Sequence, residues 1–447
     1  MAKKKQIELT IEEKLQNALV PKEEQPYKIP NNWCWTYVSN VMNIVMGQSP
    51  KGVDTTQNVS DIPLVGGASD MGDLYPRVNK YTKKATKLSK EDDVILSIRA
   101  TLGRPIFSDG VYCLGRGVAG ISSNYLSKEF IRYYYICFES SLYSNATGTT
   151  FLQVTGSVLN KMLIPLPPLN EQQRIVNRIE SLFAKLDRAK ELIENTLVQF
   201  EQNKMAILHK AFTGELTVKW RKENNIDLSS WQNYQLKDIC EKITDGTHQT
   251  PKYTDDGGYI FLSSKNVKSG KIDWKNIKYI PKDLHDILYE RIAPQRDDIL
   301  LAKNGTTGVA AIVDRDIIFD IYVSLALLRV NKKYILPMFL LYVIGSPRIK
   351  NYFDSNLKGI GVPNLHLKYI REATISVPII EEQQEIVNIL DKLLVKYNKI
   401  KNLEQQLEKI ELLKKAILAK AFRGELGTNN PDEESAENLL KEILAEK

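Results

Sequence analysis

The sequence predicts a mixed α/β (α+β) protein that is an internal duplication: two similar globular domains separated by two long helices that pair as an antiparallel coiled coil. Three observations lead there. Glu171-Gln172-Gln173-Arg174-Ile175-Val176 is echoed by Glu382-Gln383-Gln384-Glu385-Ile386-Val387, and Ala211-Phe212-Thr213-Gly214-Glu215-Leu216 by Ala421-Phe422-Arg423-Gly424-Glu425-Leu426. Trp33, Val38 and Val41 recur as Trp231, Leu236 and Ile239 at an offset of 198. Each Glu-Gln-Gln segment also opens a long heptad stripe. A period of roughly 200 residues is too long for a solenoid and implies duplication of a domain together with its helix.

Residues 1–29 hold a short helical pattern (Ile7, Ile11, Leu15, Ala18, Leu19) that Pro21 ends, followed by a charged linker. The first globular domain, 30–168, reads as short strands and turns. Asp93-Val94-Ile95-Leu96-Ser97-Ile98 is a buried strand, Asp109-Gly110 a turn, and Lys128 to Phe138 a helix. Residues 169–216 form the central helix and 217–230 a linker. The second domain, 231–378, repeats the order of the first, with Arg296 to Leu301 matching the buried strand at an offset of 205. The distal helix spans 379–426, and 427–447 is a helical tail.

The two long helices carry the scaffold. In the first, Ile175, Leu182, Ala189 and Thr196 alternate with Ile179, Leu186, Ile193, Phe200 and Ile207, a three–four spacing with charges on the other faces. The second runs Ile386, Leu390, Leu393, Tyr397, Ile400, then Leu403, Leu407, Ile410 and Ile417, slipping one residue between Tyr397 and Leu403. Two matched stripes in one chain are expected to pack on each other. Asn170 or Glu381 is expected to cap the helix starts, and Gly214 and Gly424 to stop the ends.

Composition narrows the function classes. The chain has 447 residues, 43% of them hydrophobic, and a net charge of +7. Residues 31–165 carry 13 Lys+Arg against 10 Asp+Glu, and residues 231–378 carry 21 against 16, so the positive balance sits in the two globular domains. That is compatible with a polyanionic partner. Cys34, Cys113, Cys137 and Cys240 are scattered, without metal spacing, and read as reduced thiols of a cytoplasmic protein. The start lacks a signal-peptide apolar core, and the longest apolar run, 335–344, contains Pro337 and is too short to span a bilayer.

Several motifs admit a chemical and a structural reading. Gly115-Arg116-Gly117-Val118-Ala119-Gly120 matches a dinucleotide pattern, but no amphipathic helix opens at its third glycine, so it reads as a turn. His209, His248, His285 and His366 have no metal-ligand spacing. The loop Asp245-Gly246-Thr247-His248 parallels Met46-Gly47-Gln48-Ser49-Pro50 at an offset of 198, and reads equally as a surface turn and as a base-contacting loop. Arg99-Ala100-Thr101-Leu102-Gly103 and Asn304-Gly305-Thr306-Thr307-Gly308 follow the two buried strands. The basic, hydroxyl-rich surfaces around Lys80, Lys83, Lys84 and Lys87, and around Lys265, Asn266, Lys268 and Lys271, suit phosphate contact. The candidate DNA-contacting residues are therefore Gln48, Ser49, these lysines and Asn266, with Arg99, Thr101, Arg104, Thr247, His248, Lys303, Asn304 and Thr306. No phosphate loop or amine-holding Asn/Asp-Pro-Pro-aromatic tetrapeptide occurs, so no catalytic residue is assigned. A coiled-coil adaptor without DNA specificity, or a single-chain nuclease or methyltransferase, are the competing classes.

The Pro165 to Val176 and Pro378 to Val387 junctions, the Ala-Phe-x-Gly-Glu-Leu helix ends, the domain start Ile29-Pro30-Asn31-Asn32-Trp33 and the opening Ile11 to Leu19 together resemble the DNA-specificity subunit of type I restriction–modification systems. The resemblance implies two target recognition domains, each reading half of a split, asymmetric double-stranded DNA sequence. It implies a coiled coil that sets the spacer and docks two modification subunits methylating adenine N6 with S-adenosylmethionine. It further implies restriction subunits using ATP and Mg for translocation and cleavage, with no cofactor in this chain.

Overall fold

The computed structural model describes residues 9–148, 151–254, 257–358, 363–398 and 401–447. It divides into two compact units, Met1–Leu192 with Gln405–Lys447, and Ile193–Glu404.

The units share one plan. In the first, a four-stranded antiparallel sheet runs in the order Asn43–Met46, Val118–Ser122, Val94–Arg99, Thr101–Phe107. In the second the order is Cys240–Asp245, Leu325–Val330, Ile299–Ala302, Ala310–Ile312. The central strands Val94–Arg99 and Ile299–Ala302 are buried at nearly every position because both faces of each sheet are covered. Successive side chains point to opposite faces: Val94, Leu96 and Ile98 enter the main core of the first unit while Ile95 joins a smaller cluster with Val65 and Leu114. In the second unit Ile299 and Leu301 face one core, Leu300 and Ala302 another. A smaller sheet in each unit contains one parallel pair, Ile62–Val65 with Cys113–Leu114 and Tyr259–Leu262 with Phe319–Ile321.

A short ribbon brings each domain's first strand to its last: Cys34–Tyr37 pairs with Leu163–Leu166, and Gln232–Gln235 with Thr374–Val377. The long helices start where these ribbons end. The central helix is Leu169–Phe212, and the distal one is seen as Ile380–Asn398 and Lys401–Ala421. Asn170 and Glu381, expected as caps, lie inside the first turn instead. Carbonyls ahead of the helices take over the capping. The Pro168 carbonyl accepts from the Glu171 and Gln172 backbone N–H groups, and the Gln172 and Gln383 amides reach back to the Pro167 and Pro378 carbonyls. Gly214 and Gly424 close the ends at φ +79° and +73°, a conformation glycine adopts without Cβ strain.

The glutamates of the repeated motif are fully buried locks. In the first unit Glu171 accepts from Trp33 Nε1 at 2.7 Å, from the Asn429 amide at 2.9 Å and from the Thr428 hydroxyl at 3.2 Å. In the second, Glu382 accepts from Trp231 Nε1 at 3.0 Å, Thr217 Oγ1 at 2.6 Å and the Arg221 guanidinium at 2.5 Å. The two tryptophans and two Glu-Gln-Gln motifs that mark the repeat in the sequence are thus partners in space.

Within the first unit the helices run antiparallel: Lys414 pairs with Asp187 at 2.5 Å and Lys190 with Glu411 at 3.2 Å, while Lys414 also lies over the Phe183 ring. In the second unit Leu208 and Ala211 share a core with Ile386, Val387 and Leu390. The slip expected between Tyr397 and Leu403 crosses residues 399–400 and lies outside the described residues, as does Ile7.

Of the segments read as separate ends, the described residues 9–29 and 427–447 fold onto the first domain. The helix Ile11–Ala18 carries a Thr10–Glu13 capping box and buries Leu15 and Ala18; the helix Ala436–Ala445 buries Ala436, Leu440 and Ile443 in the same core. Arg174 clamps this tail by a bidentate pair to Glu433 at 2.7 Å. Apolar stripes that look like solvent-facing amphipathic helices when read locally are completed by residues at the far end of the chain.

Candidate nucleic-acid interface

Antiparallel order places the candidate loops together. In the first unit the chain leaves the central sheet at Met46 and Arg99 and enters it at Thr101 and Val118, and the pairings Met46–Ala119, Ser97–Val118 and Arg99–Thr101 put all four at one end. In the second unit Asp245, Ala302, Ala310 and Leu325 mark the corresponding end. Loops positioned by a rigid sheet are where binding residues concentrate.

Two backbone crossings fix the first loop of each set. A Cβ on Gly47 would lie 2.1 Å from the Gly115 carbonyl oxygen, and one on Gly246 1.9 Å from that of Ile321. Only glycine fits either crossing. The crossings align Gly47 with Gly246, so Gln48 corresponds to Thr247 and Ser49 to His248, one residue off the repeat spacing of 198. A bulge between Cys240 and Lys242 supplies the extra residue. The glycine-rich stretch is explained the same way. Val118–Ser122 is a strand rather than a helix, and a Cβ on Gly115 or Gly117 would lie 2.8 or 2.4 Å from Gly66 backbone atoms, so these glycines serve a close backbone approach rather than a dinucleotide cradle.

Gln48, Ser49, Lys80, Lys83, Lys84, Lys87 and Thr101 are exposed, and Arg99 is half-buried. The structure joins the lysine run to the first loop: Thr86 Oγ1 donates to the Gln48 carbonyl, the Gln48 N–H to the Leu114 carbonyl, and the Leu114 N–H to the Lys87 carbonyl. In the second unit His248, Lys265, Lys268, Lys271 and Thr306 are exposed, with Thr247 and Asn304 half-buried. Ser264, beside Lys265, bonds through its N–H to Ser324 Oγ, and the Ser324 carbonyl takes the Lys303 N–H. His248 Nε2 lies 3.6 Å from an Asp245 carboxylate oxygen.

Two candidates are corrected. Lys303 is 4% exposed and its ammonium pairs with Asp245 at 2.5 Å, so its charge ties two strand ends together. Asn266 is 5% exposed and its amide bonds the Asp273 and Asn276 carbonyls while accepting from the Ser263 N–H; it builds the loop that presents Lys265 and Lys268. Arg104 stays exposed while donating to the Ala68 and Met71 carbonyls at 3.4 and 3.2 Å. Burial and internal partners, invisible in residue type, decide Lys303 and Asn266.

Arg116 was missed. It is exposed beside the first loop, its N–H donating to Ser49 Oγ at 3.2 Å. The signal was the dismissed glycine motif, read for its glycines and not for the cation between them. Among the described residues no His/Cys/Asp/Glu group could hold a metal ion. Burial pushes the Cys34, Cys137 and Cys240 thiols up to about 12, far from reactive thiolates. No helix among the described residues is long and apolar enough to cross a membrane.

The comparisons with known proteins bear directly on these paired loop sets. The model of the type I restriction modification DNA specificity domain matches the chain twice, over residues 30–197 and 229–412. The chain belongs to this family. As a DNA specificity protein of the type I family it is 26% identical to the type I restriction enzyme EcoBI specificity subunit of Escherichia coli, over 94% of this chain and 93% of that one. It is likewise 26% identical to the EcoKI specificity subunit of Escherichia coli strain K12, over 94% and 96%. A solved chain from work on complex assembly and conformational transition of the type I R-M system has the same fold, with a TM-score of 0.70 at 20% identity, covering 90% of this chain and all of that one.

Proposed function

We propose that each head of this specificity subunit reads one half of a bipartite, asymmetric double-stranded DNA sequence. The observation that carries the reading is the duplicated loop end. Two heads of one topology present the same loops from the same end of the same sheet, yet fill them with different side chains: Gln48 and Ser49 against Thr247 and His248, Arg99 and Thr101 against Asn304 and Thr306. Side-chain hydrogen bonds to base edges discriminate by about 1–3 kcal/mol per good bidentate pair, so a few per head suffice. Exposed lysines beside each loop set supply salt-dependent phosphate contacts that position without specifying.

In this proposal the chain is not itself catalytic and carries no cofactor. Its paired helices dock two modification subunits, which transfer a methyl group from S-adenosylmethionine to adenine N6, and restriction–translocase subunits that use ATP and Mg. The test is methylation mapping after co-expression with a modification subunit: one split sequence with unlike halves is expected. Methyl transfer by the purified chain alone, or binding to duplex that does not weaken with salt, would count against it.

A further inference from the structure

A further backbone pair adjoins the same sheet end in both heads; residues 149–150 and 359–362, between its members, lie outside the described residues. Thr147 and Gln153 exchange backbone hydrogen bonds of 2.9 and 2.8 Å, and Lys358 and Asn364 exchange the same pair at 3.1 and 2.8 Å. One repeated bond pins each hairpin to the strand end beside it: the Val154 N–H donates to the Ile98 carbonyl, and the Leu365 N–H to the Lys303 carbonyl, both at 2.9 Å. Gln153 thereby stands in a bridge with Arg99, and Asn364 in a bridge with Asn304. A primary amide occupies the same structural position in both heads, although Leu152-Gln153-Val154 and Pro363-Asn364-Leu365 share little else.

The hairpins do not need these amides. Backbone groups close and anchor both, and neither side chain makes a hydrogen bond among the described residues. Gln153 is exposed. Asn364 is half-buried and its Oδ1 is enclosed without a donor, so no internal bond holds the amide, and turning it outward to a base edge would relieve the unpaired oxygen. Each amide adjoins a residue already assigned to the reading surface. A donor and an acceptor side by side complement N7 and the N6 amine of adenine in the major groove.

We propose that Gln153 and Asn364 are specificity-determining residues, each reading an adenine-bearing base pair in its own half-site. The inference rests on the DNA-reading function above. The test uses the full chain co-expressed with its modification subunits, with methylated sites mapped across a genome. In Gln153→Glu and Asn364→Asp a carboxylate can only accept, which suits the cytosine N4 amine. Each variant is expected to change preference at one base pair of one half-site, to lower methylation of the original site about five- to hundredfold, and to leave the other half intact. Gln153→Asn and Asn364→Gln keep the amide and should retain the original base with weaker discrimination.

An unchanged recognised sequence in the carboxylate variants overturns the inference. So does a uniform loss over all sequences, which marks a scaffold or phosphate role, or a change of base in the amide-preserving pair. A wild-type complex that methylates no bipartite sequence overturns the proposed function together with this inference; a wild-type that does so isolates the failure to these residues.

Discussion

Glu171 and Glu382 occupy equivalent places yet face different donors, and that difference sets their expected energetics. Glu171 is held by neutral groups, Trp33, Thr428 and Asn429, at a helix N-terminus. Glu382 neutralises Arg221, whose side chain is 7% exposed. Glu382→Ala would strand a buried guanidinium and is expected to cost about 3–5 kcal/mol, whereas Glu171→Ala leaves neutral donors unpaired at about 1–3 kcal/mol. Denaturant melts of the two variants measure this, and equal losses would refute the ranking. The tail clamp gives a pH prediction. Hydrogen bonds from the Arg174 guanidinium hold the Glu433 carboxyl below its ordinary range. Its contribution is therefore present above the unfolded value of about 4.3 and lost as pH falls through the lower folded value. Melting temperatures between pH 6 and 3 should fall more steeply for wild type than for Glu433→Gln. At this scale the sequence was partly legible. The exposed lysines near both loops were readable because solvation is the default for lysine, while Lys303 and Asn266 look identical to them in one dimension. The Trp33–Glu171 partnership spans 138 residues, so each half was visible only as a repeat marker.

Elements were more legible than contacts, for a physical reason. The buried strands Val94–Arg99 and Ile299–Ala302 and the heptad stripes carry their periodicity within a short window. The bulge at Cys240 and Lys242 leaves no such local mark, which is why the first-loop alignment was one residue out. The helix Ala436–Ala445 was recognisable as a helix, but nothing local says where its apolar face goes. Leu440 is fully buried in the first unit's core, so Leu440→Ala is expected to destabilise by about 2–5 kcal/mol. Hydrogen exchange should show the loss confined to the first unit. Protection lost equally in residues 231–378 would contradict the division into units.

For the whole molecule, two heads with separate cores predict separable specificity. Exchanging residues 231–378 for another family member's second head should change one half of the methylated sequence and leave the other; a change in both halves would argue for one composite surface. The helices supply a second lever. Inserting seven residues in each at matched positions keeps the heptad seam and adds about 10 Å of helix, so the unread spacer should lengthen by about three base pairs at about 3.4 Å each. Methylation mapping decides it, and an unchanged spacer in an active variant would mean that the helices do not set the distance. The tail lock also bears on how the protein is made. Ribosomes deliver the first head first, yet its core waits for Phe422 and Leu440, and its buried Glu171 for Thr428 and Asn429. Among the described residues the second unit's core clusters draw on none beyond Leu390. Synthesis order and completion order are therefore inverted: the head translated last closes first. A chain cut short near residue 404 would hold a closed second reader and an unsealed first one, the first open to proteases for want of residues 405–447.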